Sequence, residues 1–154
     1  MGISVQLQLV EQKSIEPTRT RRDWQKDPVV NKYLKFEDGV SLKDGANQLI
    51  NFQKYYEIYD HERHVGDIKV FYENEEDIFE QRAQLLMIVG ERNRGIGKAA
   101  LKLLLEKLQA AYRSVYCIIH RSNIASLKML KSNGFQIEDL NEDNLRLSRK
   151  LEEN

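Results

Sequence analysis

The sequence predicts an α/β fold in which helices flank a mixed, mostly antiparallel central sheet. Two segments, 85–89 and 114–120, are rich in apolar residues, as expected for central strands that are covered on both faces. The segment between them, 98–112, carries apolar residues at helical spacing. This strand–helix–strand unit forms the centre of the predicted sheet, and shorter alternating segments extend the sheet on both sides.

The overall composition is that of one folded domain spanning residues 1–154. Hydrophobic residues make up 41% and charged residues 31% of the chain, which is enough apolar material for a core. Lys plus Arg and Asp plus Glu are equal at 24 each, so the net charge predicts no general attraction to nucleic acid or to a membrane surface. Any site for a phosphate group must therefore be local.

Cys117 is the single cysteine of the sequence, so an internal disulfide is excluded, which fits a reducing cytoplasm. The sequence has no apolar run as long as a membrane span and no charged-then-apolar leader at its start. We therefore expect a cytoplasmic protein with no membrane partner.

The first third of the chain is predicted to hold one strand and two helices. Alternation over 4–10 predicts the strand, and the basic cluster 18–22 is interpreted as a solvated loop. Asp27, which a proline follows, is typical of a helix N-cap, and Ser41 is typical of a second one. Trp24, just before the first of these helices, fits either a plug in the core or the wall of a substrate cleft.

The remaining two thirds are predicted to begin and end with a hairpin, which gives the order β-α-α-β-β-β-α-β-α-β-β. The acidic segment 73–77 is interpreted as a solvated loop. Asn133 and the glycine after it predict the end of the last helix. The predicted elements are strands at 55–59 and 64–72 with a turn at 60–63 between them, a strand at 85–89, a helix at 98–112, a strand at 114–120, a helix at 123–132, and strands at 135–140 and 145–151.

A short basic loop with glycines, 90–97, joins the apolar strand to the leucine-rich helix. Glycine allows positive φ and a close approach of other groups, and the first N–H groups of a helix have no partner within it. These N–H groups and the positive end of the helix dipole make a site for phosphate. Because Arg92, Arg94 and Lys98 add positive charge, the loop predicts a pyrophosphate site.

The spacing Arg92-x-x-Gly95-x-Gly97 resembles the acyl-CoA loop of the GNAT superfamily of N-acyltransferases. A second segment, 121–135, is similar to the Asn-x-x-(Ala/Ser)…Lys-x-(x)-Gly-Phe segment that follows the fifth strand in that family. The residues at 65–68 match the family's third-strand pattern. With this third match the resemblance covers nearly the whole chain, and the two main motifs at the right separation make it specific.

The resemblance implies acetyl-CoA as the cofactor. In the family, strands four and five separate, and the pantetheine arm bonds to the exposed main-chain edge of strand four. The pyrophosphate lies on the glycine loop, and the asparagine motif contacts the cofactor arm from the other side. Carried over to this chain, the cofactor-binding residues are Leu85, Leu86, Met87, Arg92, Asn93, Arg94, Gly95, Ile96, Gly97, Lys98, Asn123 and Ser126.

Acetyl transfer to an amine needs a base, because an ammonium ion with a pKa near ~10 has no lone pair. A strand-four N–H, such as that of Met87, would stabilise the oxyanion. Where some family members carry a glutamate base early in strand four, the matching register gives Gln81 with Glu80 beside it. Because strand side chains alternate, the two cannot both face the cleft. Where many members carry a tyrosine acid, this chain has Leu130.

His120, at the end of the fifth strand, is the third catalytic candidate, although a surface histidine fits the same position. His61 and His64 flank the hairpin turn, but the sequence offers no third ligand close by, so we expect no metal site. The remaining catalytic candidates are Asp67, Tyr116 and Ser126.

The leading hypothesis is an N-acetyltransferase that transfers an acetyl group directly from acetyl-CoA to a primary amine. The segment 23–28 looks like the branch that holds ribosomal-protein N-terminal and aminoglycoside acetyltransferases. A protein N-terminus, a polyamine, an antibiotic or another small molecule is therefore the expected acceptor, and a homodimer would be common for such proteins. The alternatives are a non-catalytic acyl-CoA-binding module and a nucleotide-binding domain unrelated to CoA.

Overall fold

The computed structural model describes residues 6–13, 18–28, 52–91 and 95–151, apart from the side chains of Gln25 and Phe52. Element labels below count the described elements only. The strands are β1 Leu7–Gln12, β2 Phe52–Asp60, β3 Arg63–Phe71, β4 Arg82–Val89, β5 Ser114–His120, β6 Gln136–Asp139 and β7 Asn144–Lys150. The helices are α1 Arg19–Lys26, α2 Glu75–Glu80, α3 Ile96–Leu108 and α4 Ile124–Ser132. Among the described helices, none is long and apolar enough to cross a membrane.

The seven strands form one sheet in the order β1-β2-β3-β4-β5-β7-β6. Five of the neighbouring pairs are antiparallel, and β4 and β5 are parallel. A parallel pair needs a crossover connection, which α3 supplies. The predicted mixed, mostly antiparallel sheet with flanking helices is confirmed.

The parallel pair at the centre of the sheet is joined at one end only. Pairing between β4 and β5 is confined to Arg82–Gln84 and Ser114–Tyr116. Beyond this segment β4 continues along β3 as far as Val89, and β5 continues along β7 as far as His120. The two strands therefore separate towards their carboxyl ends and leave a V-shaped opening in the sheet.

The two faces of the sheet differ in character. The face covered by α3 (the α3 face) is apolar, because side chains at alternate positions of β4, from Ala83 to Val89, join the α3 core there. The opposite face (the α1 face) carries Asp67, which binds Arg21 of α1. The side chains that α3 buries recur at helical spacing and are Ile96, Ala100, Leu101, Leu104, Leu105 and Leu108.

The basic cluster at 18–22 is not a solvated loop but the start of α1. The Thr18 side chain caps the helix by accepting a hydrogen bond from the Arg21 N–H at 3.2 Å. Arg21 itself is only 1% exposed, because its guanidinium pairs with buried carboxylates. Asp27 ends this helix, whereas the helices expected after Asp27 and at Ser41 lie outside the described residues.

The prediction that the acidic segment 73–77 is a solvated loop is also wrong. Asn74 caps α2 by accepting from the Asp77 N–H at 2.9 Å, and Asp77 is fully buried. Its carboxylate accepts hydrogen bonds from Arg82 and Tyr116, which offset the cost of burying the charge. A run of acidic residues therefore holds one structural carboxylate.

Candidate active site

The opening between β4 and β5 exposes main-chain groups of β4. The Gly90 N–H donates to the Val65 carbonyl at 2.8 Å, which makes this pair hydrogen-bonded across β3 and β4. Hydrogen-bonded and non-hydrogen-bonded pairs alternate in an antiparallel ladder, so Ile88 and Leu86 also bond to β3. Met87 and Val89 therefore direct their N–H and C=O groups towards the opening.

The sequence predicted main-chain contributions from three consecutive residues, 85–87. The alternation turns the main-chain groups of Leu86 towards β3, and those of Leu85 lie next to the last β4–β5 pair. The open edge that the structure defines consists of Met87 and Val89. Val89 could have been identified from the strand period alone.

The amino end of α3 lies directly after this edge. Gly95 is its N-cap with φ +70°, and no side chain among the described residues caps the helix. By contrast, Thr18, Asn74 and Asn123 cap the other three helices with a side-chain oxygen. Since the first helical bond runs from the Ala99 N–H to the Gly95 carbonyl, three N–H groups precede it without a partner in the helix. They belong to Ile96, Gly97 and Lys98.

Gly97 lies where the first turn of α3 packs closely against its neighbours. A Cβ atom at this position would lie 2.7 Å from Sδ of Met129 on α4 and 3.8 Å from both Met87 and Val89 side chains. The first turn of α3 is thus pressed against the edge of the opening and against α4. This packing places the unpartnered N–H groups beside the main-chain edge of β4.

The residues of the asparagine motif begin α4. The Asn123 side chain accepts a hydrogen bond from the Ser126 N–H at 3.3 Å, so Asn123 serves as the N-cap. Both residues are half-buried at the β5 side of the opening. The loop residues Arg92, Asn93 and Arg94, which the sequence assigned to the pyrophosphate, lie outside the described residues.

Glu80 and Gln81 are not part of strand four, contrary to the register argument. Glu80 ends α2, and Gln81 caps that helix in the left-handed conformation with φ 52°. Both side chains are exposed, and both precede the paired segment that starts at Arg82. They therefore lie at the closed end of the opening, away from the edge formed by Met87.

His120 lies at the open end, as its position at the end of β5 predicted. Its Nδ1 accepts a hydrogen bond from the Ser122 N–H at 3.1 Å and lies 2.7 Å from the Ser122 hydroxyl. Because Nδ1 is used as an acceptor, the neutral ring carries its proton on Nε2. This tautomer suits a hydrogen-bond donor better than a base.

A buried charge cluster joins α1 to β2 and β3 on the α1 face. Arg21 Nε lies 2.9 Å from Oδ2 of Asp67, its Nη2 pairs with Glu57, and His64 Nε2 lies 2.8 Å from Oδ1 of Asp67. Burial alone would raise the pKa of Asp67, but the hydrogen bonds from His64 and Arg21 hold it below its ordinary value. A carboxylate stabilised in this way is a weak base, which argues against Asp67 as a proton acceptor.

The same cluster includes a group of metal-ligand type that the sequence spacing did not indicate. One ligand atom each of Glu57, His64 and Asp67 lies within 4.8 Å of the others. However, the Arg21 guanidinium already binds both carboxylates. A cation would have to displace this buried positive charge, so the donor set does not fit a resident metal.

Trp24 lies at the carboxyl end of β4. A Cβ atom at Gly90 would fall within the Trp24 indole, and the ring packs edge-on against His64 with centroids 4.9 Å apart. The side chain is 8% exposed. Of the two alternatives left open by the sequence, the plug in the core is the one that the structure shows.

A second cluster closes the opening at its narrow end. The Tyr116 hydroxyl donates to Oδ2 of Asp77 at 2.6 Å, and Arg82 Nε donates to Oδ1 of the same carboxylate at 2.5 Å. The Arg146 guanidinium lies 4.1 Å from the centroid of the Tyr116 ring. Burial and the bond to Asp77 raise the pKa of Tyr116, so this candidate is a structural donor. The Asn74-x-x-Asp77 spacing before β4 is the sequence signal that indicates the N-cap at Asn74.

No family model and no curated protein matches the chain. Solved structures do. Spermidine N-acetyltransferase from Vibrio cholerae, solved with CoA and spermine, has a TM-score of 0.72 at 14% identity and is covered over 96% of its length by 95% of this chain. YncA from Salmonella typhimurium, solved with acetyl-CoA, has a TM-score of 0.71 at 14% identity, with 96% of this chain and 95% of that chain covered. N-acetyltransferase PseH from Campylobacter jejuni has a TM-score of 0.67 at 14% identity over 95% and 99% of the two chains.

These likenesses define the class of fold. They extend over nearly the whole of each chain, so this protein has the fold of the GNAT acetyltransferases. The opening between β4 and β5 and the glycine-capped start of α3 are the features of that fold that form a candidate site. At 14% identity the likeness shows the fold alone, because one fold can carry different activities.

Proposed function

We propose that the protein is an acetyl-CoA-dependent N-acetyltransferase that transfers the acetyl group directly to a primary amine. The observation that carries the proposal is the juxtaposition of two main-chain features that have no partner among the described residues. One is the edge of Met87 and Val89, and the other is the first turn of α3, where no side chain among the described residues caps the helix. Together they offer hydrogen bonds to an extended arm and to a phosphate group at its end.

The residues at the start of α3 fit a pyrophosphate. A Cβ atom built on Gly95 would meet no described atom within 4 Å. The N–H groups of Ile96, Gly97 and Lys98 precede the first helical bond, and the helix dipole makes this end positive. We include Arg92, Asn93 and Arg94 in this binding role on the basis of the loop pattern.

The acetyl group would lie beside Met87, whose N–H points into the opening. Acetyl-CoA supplies a thioester carbonyl carbon to which the neutral amine nitrogen adds. The Met87 N–H donates to the carbonyl oxygen as it gains negative charge. The nitrogen loses a proton, the C–S bond breaks, and the sulfur leaves as a thiolate that is then protonated. Since α3 holds the cofactor on its own face, the amine approaches from the α1 face.

Calorimetric titration of the purified protein with acetyl-CoA, with ATP and NAD as controls, tests the site first. Selective binding of acetyl-CoA is the expected result, and it justifies screening primary amines for the release of free CoA thiol. A folded protein that binds none of the three would contradict the site. Equal binding of ATP would favour a nucleotide site unrelated to CoA.

A non-catalytic acyl-CoA-binding module is the second candidate function, and specific observations favour it. Glu80 and Gln81 lie at the closed end of the opening, and Leu130, 1% exposed, occupies the position where many family members carry a tyrosine. This candidate predicts acetyl-CoA binding without amine-dependent CoA release. The thiol assay therefore separates the two functions.

The more specific parts of the proposal concern the acceptor amine, the cellular compartment and the oligomeric state. The resemblance of 23–28 to the ribosomal-protein N-terminal and aminoglycoside acetyltransferase branch supports a protein N-terminus, a polyamine, an antibiotic amine or another small amine as the acceptor. We further propose a single domain that works in the cytoplasm, with the homodimer as the oligomeric state to test by light scattering.

A further inference from the structure

Lys69 is a buried lysine that the candidate site, as built so far, does not use. It lies on β3, with Tyr55 of β2 and Leu86 of β4 as its neighbours in register, and it is 6% exposed. Cross-strand neighbours share a face, so Lys69 and Leu86 are on the α1 face together with Asp67. Lys69 thus stands one strand, about 4.8 Å, from the strand that borders the opening.

Within the part of the chain that the structure describes, no hydrogen bond or ion pair joins the Lys69 ammonium to another residue. The nearest carboxylate in sequence on its face, Asp67, is already engaged by Arg21 and His64. Burial is the main cause that lowers the pKa of Lys69, the negative charge of Asp67 acts in the opposite direction, and Arg21 lowers it further. An ammonium whose three donors have no hydrogen-bond acceptor among the described residues is costly to bury, and an acceptor from outside the protein would offset that cost.

We propose that Lys69 binds an anionic group of the acceptor, so that the preferred acceptor is an amine that also carries a carboxylate. This inference rests on the proposed acetyltransferase function, because it assumes that the acceptor approaches over the α1 face. A carboxylate there would supply the oxygen acceptors that Lys69 lacks. Lys69 would then be a specificity-determining residue, and an amine without a carboxylate would leave its charge unpaired.

The test compares amines that differ only in the carboxylate. The pairs are 4-aminobutyrate with butylamine, and phenylalanine with phenethylamine, which place the carboxylate at two distances from the amine. In at least one of the two pairs, we expect the wild type to acetylate the carboxylate-bearing amine with a higher kcat/KM than the plain amine. In Lys69→Met that value should fall about tenfold or more, while the value for the matched amine changes little.

Lys69→Arg is the matched control, because it keeps the positive charge and the donors. It should retain the preference for the carboxylate, whereas a role of Lys69 as a base would make this variant as poor as Lys69→Met. Equal losses for both members of a pair in Lys69→Met, or a preference of the wild type for the plain amines, would overturn the proposal.

A second measurement makes the result independent of catalysis. In protein labelled with 13Cε-lysine, the Lys69 resonance is assigned by its absence from Lys69→Met. Adding 4-aminobutyrate or phenylalanine should shift that resonance, and adding butylamine or phenethylamine should not. If no carboxylate shifts it, the proposal fails even when acetyl-CoA binds. If acetyl-CoA does not bind but the carboxylates shift Lys69, the proposed function fails and the anion site stands.

Discussion

Gly95 shows at the scale of a single residue why the loop needs glycine. Its φ of +70° lies in the left-handed region, and no described atom lies within 4 Å of the position that a Cβ atom would take. The left-handed backbone conformation therefore restricts which residue types fit at this position, and Asn and Asp are the residues other than glycine that adopt it most readily. Gly97, in contrast, is limited by contact with Met129.

Replacing Gly95 with aspartate or asparagine separates charge from shape. Gly95→Asp should weaken acetyl-CoA binding by about tenfold or more, because a carboxylate would stand against the pyrophosphate at the positive end of α3. Gly95→Asn has nearly the same shape and conformational preference without the charge, and it should bind within a few-fold of the wild type. Calorimetry on both variants, with circular dichroism to verify folding, makes the comparison. Equal affinities for the two variants would contradict the anion site.

The ionisation of Asp67 makes the free energy of unfolding depend on pH. Its pKa is lowered in the folded protein, so its contribution is complete above the unfolded value of about 3.9 and is lost as the pH falls through the folded value. Asp67→Asn should therefore cost about 3 kcal/mol of unfolding free energy at pH 7, since Arg21 loses a buried partner. Below pH 4 the difference from the wild type should shrink.

Urea unfolding at several pH values between 7 and 2.5 measures this difference. Asp23→Asn on the exposed side of α1 removes a carboxylate without a buried partner and should leave the unfolding free energy nearly unchanged. A difference between Asp67→Asn and the wild type that is constant with pH would show that packing rather than charge determines the loss.

At the scale of elements, the opening in the sheet depends on where β4 and β5 stop pairing. Tyr116 is the last residue of β5 that pairs with β4, and its hydroxyl donates a hydrogen bond to Asp77 in the first turn of α2. This bond fastens α2, β4 and β5 together at the narrow end. The strands can separate beyond it without loosening the whole sheet, because each continues to pair on its other side.

Tyr116→Phe should loosen the narrow end. Removing one hydrogen bond to a buried carboxylate costs about 1–3 kcal/mol, and the amides of 82–84 and 114–116 should exchange with solvent faster. Tyr112→Phe is the control, since Tyr112 is equally buried but lies outside this cluster. Hydrogen exchange followed by mass spectrometry on both variants locates the effect. Exchange that increases equally over the whole sheet would contradict a local role.

Elements were predicted well from sequence where apolar periodicity governs them. The strands at the centre and the helix between them follow from continuous apolar runs and helical spacing, which are local signals. The predictions of solvated loops at 18–22 and 73–77 were wrong, because a charged side chain is expected to be exposed unless a buried partner of opposite charge is known. Arg21 and its partner Asp67 are 46 residues apart in sequence, and a local pattern does not show such a pairing. Glu80 and Gln81 were misplaced since a left-handed cap ends α2 there.

At the scale of the whole molecule, the site is an opening that only the assembled sheet creates. The glycine loop and the asparagine motif were recognisable in sequence, but the alternation of main-chain groups along β4 needs the register with β3. Lys69 was missed for the same reason, because its burial depends on strands that come together from distant parts of the chain.

Acetyl-CoA should stabilise the whole fold if it fills this opening. A ligand that binds only the folded state at 100 times its Kd adds about 2.7 kcal/mol to the free energy of unfolding. Chemical unfolding with and without acetyl-CoA measures the gain, and Gly95→Asp should show little of it at the same concentration. Hydrogen exchange should slow at Met87, at Val89 and over 96–98, where N–H groups acquire partners. Stabilisation without protection at these positions would mean that acetyl-CoA binds elsewhere, because a ligand that filled the opening would cover the open edge of β4.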